Sequence, residues 1–133
     1  VIKHKLGIDD KKELKKKALE ALRIVGLPDP ERVYNSYPHE LSGGMLQRAA
    51  IAVAISTNPK ILVADEPTTM LDVTLQAQIL DLLQDLRKKL GLALVFITHN
   101  LGVAATICDR ILVIYVEVKP GHFVACHKYP NKR

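Results

Sequence analysis

Two short apolar runs, Ile61-Leu62-Val63-Ala64 and Leu92-Ala93-Leu94-Val95-Phe96-Ile97, flank a stretch of helical periodicity, and no other feature limits the fold as much. Lys60–Asp65 and Leu92–Ile97 are short and continuously apolar, the pattern of strands buried on both faces. Between them Leu75, Ile79, Leu82, Leu83, Leu86 and Leu90 recur at helical spacing, with Asp72 placed to cap the helix and Gly91 to end it. A strand, a helix and a strand of these lengths form a βαβ unit, so the two strands are expected to run parallel with a right-handed crossover. The fold class read from this pattern is α/β.

The rest of the chain reads as helices around that unit. Residues 1–8 carry no firm pattern. From Asp10 to Val25, Leu14, Ala18, Ala21, Leu22 and Val25 follow helical spacing, and Gly26 followed by Pro28 ends the run. Residues 29–37 suit a short helical turn or a loop. A further helix opens at Ser42, carries the apolar run Ala49–Ile55 and stops at Asn58-Pro59. Its apolar residues cover most of its circumference, so burial on several sides is expected. Residues 101–108 suit a short helix and Arg110–Val116 a third strand.

With 133 residues, 48% of them apolar and 25% charged, the chain is the size of one domain with a real core. No run approaches the ~18 apolar residues needed to span a bilayer and no leader-like segment opens the sequence, so membrane association is expected only through a partner. The net charge of +5 gathers early, at Lys3, Lys5, Lys11, Lys12, Lys15, Lys16 and Lys17. Asp9, Asp10 and Glu13 interleave with these lysines and no aromatic accompanies them. A solvated helix face is the favoured reading over a nucleic-acid or anionic-lipid patch, and no nucleic acid is expected. Cys108 and Cys126 give no disulfide framework, which fits a reducing compartment.

Three short stretches carry chemistry. In Leu41-Ser42-Gly43-Gly44-Met45-Leu46-Gln47-Arg48 a good N-cap residue precedes two glycines at the start of a helix. The first N–H groups of a helix lack intrahelical partners, and bare glycines leave them open to an anion such as phosphate; an ordinary capped turn has the same composition. Asp65 and Glu66 end the first apolar run. In α/β sheets ligands bind beyond the carboxyl ends of strands, and adjacent side chains of a strand point to different sides, which would divide labour between the two acids. A solvated acidic turn is the plainer alternative. Thr98-His99-Asn100 ends the second run, and His99 alone reads more readily as a structural histidine than a catalytic one.

Taken in order, Leu41–Arg48, the run Ile61–Pro67, Thr68-Thr69-Met70-Leu71-Asp72 and Thr98-His99-Asn100 resemble the signature, Walker B, D-loop and switch histidine of the ATP-binding subunits of ABC transporters. Tyr37-Pro38-His39-Glu40 and Asp72-Val73-Thr74-Leu75-Gln76-Ala77-Gln78 are similar to the oligopeptide/dipeptide importer branch. The resemblance runs from about Asp10 to Ile114. It implies a partial P-loop NTPase-like fold, part of the helical signature subdomain plus a βαβ Walker B core. The partial ATPase domain would occupy 1–116, its helical part about 9–58 and its core about 59–116. Residues 117–133 would be a tail resembling the end of peptide-importer ATPases.

The same resemblance implies the roles. Asp65 would hold Mg²⁺ through water, Glu66 would polarise the water attacking the γ-phosphate of ATP, and His99 would sense that phosphate and orient the water. Ser42, Gly43, Gly44 and Gln47 would contact nucleotide held by a second ABC ATPase subunit in a head-to-tail dimer, and Asp72 would communicate across that interface. Further implied partners are transmembrane permease subunits and an extracytoplasmic peptide-binding protein, with the chain peripheral at the cytoplasmic face of the cell membrane. Leu46 stands where this branch usually has arginine, and Met70 where the D-loop usually has alanine. Cys126 resembles the last ligand of an iron–sulfur centre found in parts of the branch, but the preceding cysteines are absent and no cluster is expected. His122, Cys126 and His127 read as a plain tail rather than a metal site.

No stretch matches G-x-x-x-x-G-K-S/T, so the sequence holds no P-loop. The expectation is an incomplete ATPase subunit, inactive and poorly folded alone. Two other readings remain, a non-catalytic partner that offers its signature face to a complete subunit, and a soluble ABC-type ATPase unconnected with transport.

Overall fold

The computed structural model describes residues 2–113 and 116–124. It divides into two compact units, Val1–His99 and Asn100–Arg133.

In the first unit, α1 (Ile2–Leu6) precedes α2 (Lys11–Ile24), so a short helix forms where the sequence shows no pattern. Asp10 caps α2, its carboxylate accepting from the Lys12 N–H at 3.1 Å. The end of α2 is closed by Gly26 at φ 70°, with the Leu27 N–H returning to the Leu22 carbonyl at 3.2 Å. The next segment folds as α3 (Pro30–Asn35), capped by Asp29, and as a 3₁₀ turn over Pro38–Glu40. Then α4 (Gly43–Ile55) packs on α2. Leu19, Leu22 and Val25 of the α2 region, Val33 of α3, and Ile51, Ala52 and Ile55 of α4 are buried.

The expected burial of α4 on several sides does not hold. Val53 and Leu46 are exposed, and the helix packs chiefly against α2 and, more lightly, α5. Apolar composition states what a helix can bury; its neighbours decide what it does bury.

The βαβ unit is present as β1 (Ile61–Asp65), α5 (Val73–Leu90) and β2 (Ala93–Ile97). The strands pair in parallel, from Ile61 opposite Ala93 to Asp65 opposite Ile97. Ladder bonds extend past both ends, from the Ala93 N–H to the Lys60 carbonyl at 2.8 Å and from the Glu66 N–H to the Ile97 carbonyl at 3.0 Å. Asp72 caps α5 by accepting from the Leu75 N–H at 2.9 Å, and Gly91 ends it at φ 62°. Ile79, Leu83 and Leu86 are fully buried, whereas Leu90 is exposed.

Both strands were expected to be buried on two faces, and here the structure departs from the sequence pattern. Leu62 and Ala64 are buried, but Ile61 and Val63 remain 60% exposed and Val95 and Ile97 47%. Strand alternation puts Ile61, Val63 and Asp65 with Ala93, Val95 and Ile97 on one face, whose apolar side chains are exposed.

The second unit holds α6 (Leu101–Ile107), capped by the Asn100 side chain on the Val103 N–H at 3.2 Å, and the antiparallel pair β3 (Val116–Lys119) and β4 (His122–Val124). The expected strand Arg110–Val116 is not formed as such. Ile111–Val113 have no strand pairing, Ile114 and Tyr115 lie outside the described residues, and Val116 opens a hairpin instead. Pro120-Gly121, with Gly121 at φ 77°, supplies the turn that directs Val116–Lys119 to an antiparallel partner. Cys126 and His127 also lie outside the described residues. No described helix is long and apolar enough to cross a membrane.

Candidate functional site

The parallel register sets the site. Asp65 and Ile97 are paired, so residues 66 and 99 leave the ladder side by side at the carboxyl ends of their strands. Glu66 Oε1 lies 2.7 Å from His99 Nδ1. Its other oxygen, Oε2, accepts from the Thr69 hydroxyl at 2.5 Å. Both bonds favour the ionised carboxylate: the Thr69 hydroxyl first, then the His99 ring, hold the Glu66 pKa below its ordinary value. With Glu66 ionised, Nδ1 of His99 carries the proton of the shared bond. Nε2 is left to accept from water in the neutral ring, or to donate in the protonated one. The pair is solvent-facing, so its value is geometric rather than stabilising.

Strand alternation does not set the direction of Glu66. Asp65 ends β1 on the uncovered face, while Glu66 has left the strand at φ 48° and begins a tight turn. The Thr69 N–H returns to the Glu66 carbonyl at 3.1 Å and the Leu71 N–H to the Thr68 carbonyl at 3.3 Å. Pro67 is buried within this turn, and Met70, at φ 64°, is fully exposed. Thr69 was not singled out in the sequence. A hydroxyl three residues after the acid, in a turn that closes on itself, was the available signal.

Ser42 caps α4, its Oγ accepting from the Met45 N–H at 3.4 Å, while the Leu46 N–H takes the Ser42 carbonyl. Gly43 is exposed, but Gly44 is buried. A Cβ at Gly44 would meet Leu75 Cδ2 at 3.1 Å, whereas one at Gly43 would find only Leu71 Cδ2 at 4.0 Å. The second glycine thus sits where α4 comes close to α5, and a Cβ there would require the Leu75 side chain to give way slightly, a packing reason the sequence did not disclose. Gln47 turns inward: its Nε2 donates to the Pro67 carbonyl at 2.7 Å, leaving Oε1 for other contacts. Arg48 makes a bond of equal length from Nη1 to the Val25 carbonyl. Tyr37 and His39 stack at 5.7 Å on the exposed turn before Ser42, with the Tyr37 N–H held by the Glu40 carboxylate at 2.7 Å.

A cavity of about 350 Å³ lies elsewhere, bordered by Ile24, Arg48, Gln78, Asp81 and Asp85. None of the residues at the strand ends lines it. Hydrogen-bond geometry at Glu66 and His99 is the better guide to chemistry here than concavity.

A glycine-rich turn thus opens α4, and an acid and a histidine meet at the ends of two parallel strands. The chain belongs to the ABC transporter family, whose model matches residues 2–69. Among its relatives is the oligopeptide transport ATP-binding protein OppD of Bacillus subtilis (strain 168), 57% identical over 105 residues, covering 79% of this chain and 29% of OppD. The dipeptide transport ATP-binding protein DppD of Haemophilus influenzae is 55% identical over 105 residues, covering 79% of this chain and 32% of DppD. The dimeric ABC transporter cassette MJ0796 superposes with a TM-score of 0.60 at 40% identity, covering 74% of this chain and 41% of that one. The same cassette in a post-hydrolysis state bound to ADP and Pi gives a TM-score of 0.60. The chain spans about a third of the length of these curated relatives.

Proposed function

We propose that this chain provides the signature and Walker B portion of the ATP-hydrolysing subunit of an ABC importer of oligopeptides or dipeptides. The observation that carries the reading is the Glu66–His99 contact at 2.7 Å across two parallel strand ends, in the same unit as a glycine-rich helix start. Glu66 is the base that polarises the attacking water, and its ionised state suits it to accept a proton from that water. His99, oriented through Nδ1 by Glu66, presents Nε2 to the water or to the γ-phosphate. Asp65, a single exposed carboxylate, fits Mg²⁺, which keeps several waters and takes one or two carboxylates beside substrate phosphates. The ion, when bound, neutralises charge on the β- and γ-phosphates.

Ser42, Gly43 and Gly44 face the γ-phosphate of ATP held by a second subunit in a head-to-tail dimer, and Gln47 reaches that nucleotide through Oε1. Asp72, besides capping α5, lies at the dimer interface. Permease subunits and an extracytoplasmic peptide-binding protein complete the assembly, with this chain on the cytoplasmic face. The two relatives named for peptide transport support the substrate class.

The test is ATP turnover by the full-length subunit in its assembled complex. Glu66→Gln is expected to lower turnover by about 10²-fold or more while ATP binding is retained. Full turnover in Glu66→Gln would overturn the catalytic reading. The 133 residues alone are expected to hydrolyse ATP negligibly, and steady turnover abolished by Glu66→Gln would contradict that.

A further inference from the structure

The turn that carries Glu66 is attached to the helix that carries the signature. Gln47 stands on the second turn of α4, and its Nε2 donates to the carbonyl of Pro67, the residue next to Glu66, at 2.7 Å in a partly buried setting. Pro67 itself is buried. The start of α4 also lies close to the chain that follows this turn: a Cβ at Gly43 would come within 4.0 Å of Leu71 Cδ2 and one at Gly44 within 3.1 Å of Leu75 Cδ2 on α5. Glu66 in turn is fixed by its own N–H on the Ile97 carbonyl and by Thr69 and His99 on its carboxylate. Of the contacts between α4 and this segment, the Gln47 bond is the directional one.

We propose that Gln47 is a positioning residue for Glu66: it transmits the placement of the signature helix to the catalytic turn of the same chain through the Pro67 carbonyl. A shift of α4 when Ser42 and Gly43 engage a phosphate moves the Gln47 amide with the helix. The bond then carries the peptide between Glu66 and Thr68 along. Glu66 sits at φ 48°, outside the broad backbone wells, so small displacements of its neighbour re-aim its carboxylate. An ångström of misplacement at a reacting group costs on the order of 10²-fold in rate, which makes one bond sufficient. Arg48, the next residue, makes a bond of the same length to the Val25 carbonyl, away from Glu66, and so serves as an internal comparison.

This inference rests on the proposed role of Glu66, and the experiment separates the two. In the full-length subunit within its complex, kcat and KM for ATP are measured for Gln47→Met, which keeps length but removes the donor, and Gln47→Lys, which restores one. Arg48→Met and Glu66→Gln are measured beside them. Gln47→Met is expected to lower kcat about tenfold or more and to raise KM through loss of the Oε1 contact. Gln47→Lys, which also lacks Oε1, is expected to recover most of kcat but not KM, and Arg48→Met to lower thermal stability while keeping kcat. Ser42→Ala combined with Gln47→Met is expected to be less than additive, since the strut has little to transmit once the phosphate contact is gone. The proposal is overturned if Gln47→Met matches Arg48→Met in kcat, if Gln47→Lys gives no recovery, or if the double variant is additive. Full turnover in Glu66→Gln would instead overturn the reading beneath it.

Discussion

The uncovered face of the β1–β2 sheet leads to a prediction about the chain in isolation. Ile61, Val63, Val95 and Ile97 lie together on it, each about half exposed or more. Full burial of a Val or Ile side chain is worth about 1.5–3 kcal/mol, so covering the exposed half of four of them would gain about 3–6 kcal/mol, an upper estimate because unfolded chains already bury some surface. That is a large share of the stability of a small domain, and any apolar surface that meets this face can collect it. The purified chain is therefore expected to self-associate with rising concentration and to enhance the fluorescence of an apolar dye. The perturbation is Val63→Thr with Val95→Thr. These residues are register partners, Thr is nearly isosteric and suits an exposed strand, and the stability cost should stay within about 0.5 kcal/mol. Sedimentation velocity over a wide concentration range, with dye binding on the same samples, decides the matter. A wild-type chain that stays monomeric, melts cooperatively and binds no more dye than the double variant would refute the reasoning.

Two further outcomes are best measured in that Thr background. Gly43→Ala should be neutral or stabilising by about 0.4–1 kcal/mol, since its Cβ meets only ordinary contacts, whereas Gly44→Ala should gain less, because the Leu75 side chain must shift to admit the methyl; a larger gain at 44 than at 43 would contradict the packing account. The Glu66 carboxyl, followed by carbon NMR, should titrate below the ordinary range, and Thr69→Val should move it upward. Because the folded pKa is lowered, any stability it contributes is present above the unfolded pKa and is lost as pH falls through the folded value. An unmoved midpoint in Thr69→Val would show that the hydroxyl does not act on the carboxylate.

What could be read from sequence divides along physical lines. The parallel pair, α5 with its Asp72 cap and Gly91 stop, and the ends of α2 and α4 were legible because each depends on residues a few positions apart. The Glu66–His99 contact becomes reachable once the strands are parallel, since Glu66 stands one residue and His99 two residues beyond the paired ends Asp65 and Ile97. What was not legible depends on what packs against what. The same apolar runs fit a strand covered on both faces or on one, and Ile61 and Val63 show the second outcome. Gly44 has two uses, an open helix start and a close approach to Leu75, and a sequence cannot rank them. Gln47 reads as part of a binding motif, and only coordinates show its amide on the Pro67 carbonyl.

Geometry and chemical strength separate at this site. The Glu66–His99 pair needs only two strand ends and one turn, all bonded within residues 60–99, so its arrangement does not depend on covering the apolar face. Its electrostatic strength does depend on surroundings. Both side chains now face solvent, where a charge pair at this distance is heavily screened. A partner surface that closed over Asp65, Glu66 and His99 would exclude water, strengthen both hydrogen bonds on Glu66 and aim His99 Nε2 at whatever phosphate that surface carried. Covering Ile61, Val63, Val95 and Ile97 lies along the same face as Asp65, so apolar burial there also brings the covering surface up to the strand ends. Association would thus supply stability and a low-dielectric setting in one step, while the placement of Glu66 against His99 is set beforehand by the chain itself.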